Sequence, residues 1–169
     1  GVELKHIGNT PLVRPTADFM ALFLVAHSMS HFLFEGIKMR HILDWALFLK
    51  AEHENVDWDN FWKWCDRMKF SRFVRCLNFI CAYQFGMQLP DALMRDEDMT
   101  ASLSERILED TFAAYSLYTQ GYKGLFFRFV LIGRYFKSLW KFQTVHQRNA
   151  IWLMLRRIKN YWIKDIKLD

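Results

Sequence analysis

Apolar residues recur at the three- and four-residue spacing of α-helices over most of the chain. Only 7 Gly and 3 Pro interrupt the 169 residues, which leaves few turns and favours long helices over many short strands. The fold class predicted is therefore all-α, a helical bundle of about six to seven helices with two long basic helices at the C-terminal end. The predicted helices cover residues 16–33, 37–51, 58–68, 71–85, 103–115, 124–141 and 145–163.

Three regions follow from this pattern. Residues 1–15 contain two prolines and an Asn-Thr turn signal, and they are predicted as an irregular or extended lead-in, or as the last strand of a preceding domain. Residues 16–121 form the predicted helical core, and residues 122–169 a basic helical hairpin packed on it. Because the chain begins with Gly and not Met, we expect a tag scar or a piece excised from a longer protein.

The first predicted helix is apolar on two sides, which places it at the centre of the bundle. One stripe at helical spacing is Phe19, Leu22, Ala26, Met29 and Leu33, and the other is Met20, Leu24, His27, His31 and Phe34. Thr16 is predicted to cap this helix, Asp57 the third and Ser71 the fourth. A turn at Gly36 joins the first two helices into a hairpin.

The net charge of +5 is distributed unevenly. Residues 122–169 carry +9, whereas residues 1–121 carry −4. A basic region of this kind suits contact with phosphates, an acidic partner, RNA or an anionic membrane surface. The basic residues are spread among Trp and Phe and match no nucleic-acid-binding fold signature, so no DNA binding is expected. A stand-alone interaction module remains the alternative function.

The three cysteines form no Cys-x-x-Cys pair and lie in apolar helical context. Buried free thiols in a reducing cytoplasm are the favoured interpretation. No signal peptide is recognisable, and the longest apolar runs are well short of the roughly 20 residues of a membrane-spanning helix.

Polar groups inside the first hairpin are the candidate functional residues. His27 and His31 are four residues apart, so both rings project from the same face of a helix. Arg40 and Asp44 have the same spacing on the next helix, where an ordinary ion pair is the simplest interpretation. A sharper hypothesis is that Asp44 aims the Arg40 guanidinium at a phosphate or carboxylate in a cleft.

A metal site at His27, His31 and Asp44 is a weaker hypothesis. Two imidazoles and one carboxylate can bind a divalent ion. However, the chain contains neither His-Glu-x-x-His nor the Glu-x-x-His pairs of di-iron bundles, and a hydrogen-bonded buried cluster is favoured, with no metal. No Gly-x-Ser-x-Gly or Gly-rich phosphate loop is present either, so no nucleophile is identified.

The stretch from Phe19 to Pro90 resembles the C-terminal helical part of a family of uncharacterised bacterial nucleotidyltransferases. The resemblance is carried by an ordered set of residues: His27 and His31, Gly36, Arg40 and Asp44, then Asp57, Trp58 and Phe61, and finally Gly86 and Leu89-Pro90. It covers a little under half of the chain.

The resemblance implies a preceding nucleotidyltransferase domain in the same polypeptide, in which a Gly-Ser motif and paired aspartates bind Mg²⁺ and a nucleoside triphosphate. This chain has no Gly-Ser dipeptide, and its acidic clusters at Asp57–Asp59 and Asp96–Asp98 lack that context. It therefore carries no catalytic residue or cofactor of its own. The implied role is to close one wall of the substrate cleft, with Arg40, Asp44, His31 and His27 as the substrate-binding residues.

Overall fold

A computed structural model of the protein describes residues 2–7, 10–34, 36–94, 101–113 and 139–146. The chain divides into two compact units, Gly1–Ala114 and Tyr115–Asp169. Most described residues are helical and the only sheet among them has two strands, so the predicted helical fold is confirmed.

The lead-in is a β-hairpin. Strand β1 (Val2–Ile7) pairs antiparallel with β2 (Thr10–Pro15), and Val2 lies opposite Pro15. Residues 2–7 alternate between apolar and polar side chains except at His6, which is the two-residue period of a strand. Proline is tolerated here because both strands of a two-stranded sheet are edge strands. The segment predicted as an irregular or extended lead-in therefore consists of two extended segments that pair with each other.

Arg14 joins this hairpin to the helices. Its Nε donates to Glu3 Oε2 at 3.1 Å within the hairpin, and its Nη1 donates to Glu52 Oε1 at 2.7 Å. The hydrogen bond to Glu52 is the main cause of a raised pKa at Arg14. This one side chain thereby fixes the hairpin against the end of the second helix.

The helices lie close to the predicted bounds. They are α1 (Ala17–Phe34), α2 (Met39–Glu52), α3 (Trp58–Met68), α4 (Ser71–Phe79), α5 (Ala101–Ala113) and, in the second unit, α6 (Leu139–His146). A π-helical turn, Ile80–Gln84, continues α4, and 3₁₀ turns form at His53–Asn55 and Asp91–Leu93. None of these described helices combines the length and apolarity needed to cross a membrane.

Helix α1 buries one face only. Ala21, Val25 and Phe32 are fully buried, and the Phe32 ring stacks on Phe73 of α4, whereas Phe19 and Phe23 are each 50% exposed. The prediction of a central helix is therefore wrong. Apolar residues occur on both sides of α1, but only one of these sides is buried.

Two of the three predicted caps are confirmed. The Thr16 hydroxyl accepts a backbone N–H three residues on at 3.4 Å, and the Asp57 carboxylate accepts the N–H of Asn60 at 3.0 Å. Ser71 does not cap α4, because it is already the first helical residue and its hydroxyl donates to the Asp66 carboxylate.

The core of the first unit contains a polar contact between α2 and α4. Trp45 and Asn78 are both fully buried, and the indole Nε1 donates to Asn78 Oδ1 at 2.8 Å. The Asn78 amide then donates to the carbonyl of Leu93 at 2.9 Å. This chain of two bonds anchors the 3₁₀ turn after α4 to the centre of the bundle.

Helix α6 is continuous across a point where the sequence predicted a break between two helices. The pattern predicts that one basic helix ends at residue 141 and the next begins at 145, yet Leu139–His146 is one continuous helix. The segment contains no Gly or Pro, and the Thr144 hydroxyl donates to the Trp140 carbonyl at 2.8 Å, as helical residues four apart can. The remainder of both predicted basic helices lies outside the described residues, and the packing of residues 122–169 on the core stays a prediction.

Lys69 ends α3 in a left-handed conformation, with φ 64° and ψ 31°. Its N–H bonds to the Asp66 carbonyl and the next N–H bonds to the Cys65 carbonyl, the pattern that normally uses glycine. Because the Lys69 side chain is exposed, Lys69→Gly is expected to raise the free energy of unfolding by about 0.5–1 kcal/mol in urea denaturation. Lys63→Gly, at an exposed interior position of α3, is the control and is expected to lower it by about 1 kcal/mol. A loss of stability in both variants would contradict the cap assignment.

Candidate functional site

Three imidazole rings meet between the C-terminal half of α1 and the first turn of α2. His27 and His31 lie one turn apart on α1, with ring centroids 4.6 Å apart. His41 of α2 lies 5.4 Å from the first ring and 4.3 Å from the second, and its ring stacks on that of His31. The three rings, called the histidine cluster below, run from solvent into the core: His27 is exposed, His31 half-buried and His41 only 1% exposed.

His41 holds the beginning of α2. Its Nδ1 accepts the backbone N–H of Lys38 at 3.1 Å, while its own backbone N–H donates to the Lys38 carbonyl at 2.9 Å. The bond to Nδ1 is one half of a capping box, with histidine in the place that Glu or Gln usually takes; the other half is absent because the Lys38 side chain has no acceptor. Because Nδ1 accepts, a neutral ring must carry its proton on Nε2. Nε2 is buried and has no hydrogen-bond partner among the described residues.

The environment of His41 keeps its ring uncharged. Burial lowers its pKa to about 4, and the neighbouring His31 and His27 and the charge of Arg40 act in the same direction, while Asp44 opposes them. At neutral pH the ring is therefore the neutral form that the bond from Lys38 requires. The pattern placed His41 on helix two without assigning it a role, although it stands next to Arg40 and one turn before Asp44.

The arrangement of Arg40 and Asp44 differs from the predicted one, in which Asp44 holds the Arg40 guanidinium. Both are exposed on α2, and in the described part of the chain no ion pair joins them. Asp44 therefore does not hold the Arg40 guanidinium by direct contact. Asp44 is also outside the set of potential metal ligands, in which His41 joins His27 and His31.

An exposed aromatic row leads along α1 to the histidine cluster. The rings of Phe19 and Phe23 are nearly parallel with centroids 6.4 Å apart, and Phe23 stacks on His27 at 5.7 Å. On α2, Leu43 is 43% exposed and Leu47 64%. A face with this much exposed apolar surface can pack against another protein surface.

Two acidic residues of the described structure lie at the start of α3. Asp57 uses its carboxylate to cap α3, and its backbone N–H donates to Asp18 Oδ1 at 2.8 Å. Asp59 lies exposed in the first turn of the same helix. The other acidic cluster of the sequence, Asp96–Asp98, lies outside the described residues.

Comparison with known proteins gives one match. Residues 2–86 match the model of a family described as "Uncharacterised nucleotidyltransferase". The match runs from the β-hairpin to the glycine that follows α4 and its π-helical turn, so it includes the whole histidine cluster, Arg40 and Asp44. No curated protein and no solved structure matches the chain.

Proposed function

Because the chain belongs to the uncharacterised nucleotidyltransferase family, we propose that it is the helical part of such an enzyme and forms one wall of its substrate cleft. The observation that carries this proposal is the family match over residues 2–86, in a sequence without Gly-Ser or an aspartate pair in a suitable context. On this proposal the catalytic residues lie in a preceding domain of the same polypeptide. This chain supplies a surface for substrate and has no turnover by itself.

Arg40 is the proposed contact to the substrate phosphates. It lies exposed in the first turn of α2, where the positive end of the helix dipole favours an anion. The exposed Lys38 precedes that turn and adds a second positive charge. Guanidinium binds phosphate oxygens in a bidentate manner, which fixes orientation as well as charge. Asp44, exposed one turn further along α2, limits the net positive charge there.

His27 and His31 are proposed to line the same wall. His27 is exposed and stacks on Phe23, so its ring presents an edge to solvent beside Arg40's helix. An imidazole can donate to or accept from a substrate oxygen. The exposed Phe19, Phe23 and Leu47 would pack against the catalytic domain, which explains their exposure in this unit.

Mg²⁺ and the nucleoside triphosphate belong to the catalytic domain in this proposal, where the metal would neutralise charge on the transferred phosphoryl group. No residue of the described structure is assigned as its ligand. Orientation and charge neutralisation by Arg40 are the contribution of this chain.

Arg40→Ala in the longer native protein is expected to lower kcat/KM for the nucleotide about 10- to 100-fold, since a charge-assisted bond contributes about 1.5–3 kcal/mol. Nucleotide transfer in the presence of Mg²⁺ measures this effect. Arg67→Ala is the matched control, because Arg67 is also exposed on a helix, where its guanidinium lies over the Trp64 ring at 5.5 Å. Its kinetics should stay unchanged.

Two results would overturn the proposal. Equal kinetics of Arg40→Ala and Arg67→Ala would remove the phosphate contact. Transfer or hydrolysis by the 169-residue chain alone, above a heat-treated control, would show that catalysis does not depend on another domain.

A further inference from the structure

We propose that the histidine cluster is a zinc site, distinct from the Mg²⁺ site of the catalytic domain; a bound Zn²⁺ would replace the direct substrate contacts proposed above for His27 and His31. His27, His31 and His41 each offer one ring nitrogen, and these nitrogens all lie within 4.8 Å of one another. In a tetrahedral site with Zn–N bonds of about 2.0–2.1 Å, ligand nitrogens are roughly 3.4 Å apart. A small rotation of the side chains would therefore bring the three nitrogens to the distances that a zinc ion needs.

The two helices give the site a rigid frame and one adjustable ligand. His31 and His41 are stacked, with centroids 4.3 Å apart, and the burial of His41 restricts its movement. His27 is exposed; its ring stacks on Phe23 and meets the rings of His31 and His41 edge-on. Rotation of this exposed side chain would bring the three ring nitrogens together on an ion.

An unpaired ring nitrogen in the cluster favours a metal site over a cluster held by hydrogen bonds. A structural histidine in the core normally satisfies both ring nitrogens, yet Nε2 of His41 is buried and unpaired in the described structure. This atom belongs to the ring that is closest to His31. A bound ion would give the buried nitrogen a partner.

Metal binding through His41 would break one hydrogen bond at the start of α2. Coordination through Nε2 moves the proton of His41 to Nδ1, which then no longer accepts the Lys38 N–H. One neutral hydrogen bond is exchanged for a coordinate bond. The Lys38 backbone amide is therefore a reporter of metal binding that lies outside the ligand set.

Three neutral imidazoles select a borderline transition metal over Mg²⁺ or Ca²⁺, which prefer oxygen ligands. With three protein ligands, Zn²⁺ keeps a fourth position for water or another exchangeable ligand. The exposure of His27 places that position toward solvent. Asp44 and Arg40 are the charged groups of α2 that act on this cluster, one favouring and one opposing a cation.

The test is Zn²⁺ titration of the untagged 169-residue chain by calorimetry, with Zn²⁺ alone as the probe. One equivalent is expected to bind. His27→Ala and His31→Ala should each weaken binding at least about 10-fold, as loss of metal-site partners does. His53→Ala is the control: His53 is half-buried, lies outside the cluster and contacts the Leu49 carbonyl, so its removal should leave Zn²⁺ binding unchanged.

A second measurement separates coordination from loss of fold. In amide exchange by NMR, Zn²⁺ should speed exchange of the Lys38 amide in the wild type and leave it unaltered in His27→Ala, which substitutes an exposed residue. The proposal is overturned if the wild type binds no Zn²⁺ at one equivalent, or if His27→Ala binds as tightly as His53→Ala. Binding without any change at the Lys38 amide would exclude His41 as a ligand and overturn the three-histidine site.

Discussion

Replacing Asn78 with alanine is expected to lower the free energy of unfolding of the first unit by about 3 kcal/mol or more. The substitution leaves two buried groups without partners, the Trp45 indole N–H and the Leu93 carbonyl. Each unsatisfied buried group costs about 1–3 kcal/mol, and the fully buried position adds a small cavity. Urea denaturation followed by circular dichroism measures the difference.

The control for Asn78→Ala is Asn60→Ala, at an exposed position of α3 where the change should stay within about 0.5 kcal/mol. A double-mutant cycle with Trp45→Phe then isolates the contact between the two side chains. If the two single substitutions prove strictly additive, the indole does not depend on Asn78 and the expected magnitude is wrong.

The three thiols are expected to resist modification at pH 8 by at least about 100-fold relative to the unfolded chain. Cys65, Cys76 and Cys81 are all free and fully buried, which confirms the prediction of buried free thiols. Burial raises the pKa of Cys65 and Cys81 to about 12 and that of Cys76 to about 11, where Ser104 and nearby arginines oppose the shift. The thiolate, which is the reactive form, is scarce in each case.

A chromogenic disulfide reagent measures the rates of thiol modification, with and without urea. Three thiols should react promptly in urea and none at a comparable rate in buffer. Ser102→Cys is the positive control, since this exposed position on α5 should provide one thiol that reacts at once in the folded protein. Prompt reaction of a native cysteine in buffer would show that α3 or α4 opens far more easily than its burial indicates.

Patterns among residues close in sequence were sufficient to predict most of the helices. The spacing of apolar residues placed α3 at its observed bounds and the starts of α1, α2, α4 and α5 within a few residues. Thr16 and Asp57 were identified as caps from residue type alone. These features depend on contacts between residues at most about four apart, which the sequence displays directly. The break predicted inside α6 was wrong, and no Gly or Pro lies in this segment to enforce one.

The candidate site was predicted only in part. His27 and His31 were expected on one face, and the structure places their rings 4.6 Å apart. The third member was expected to be Asp44, whereas His41 takes that place. Those two residues are about one turn apart on the same side of α2, so the position of α2 along its axis relative to α1 decides which of them meets the α1 histidines.

The sequence by itself determined that this protein is helical, where its helices begin, and that its cysteines are buried thiols. Tertiary structure decided that Ala21 and Val25 face the core while Phe19 is half-exposed, that Asn78 supports Trp45, and that a third imidazole joins the first two. The physical reason is the separation in sequence between the residues that interact. Helix formation follows from neighbours within a turn, whereas the burial of a given face depends on elements distant in the chain that pack against it.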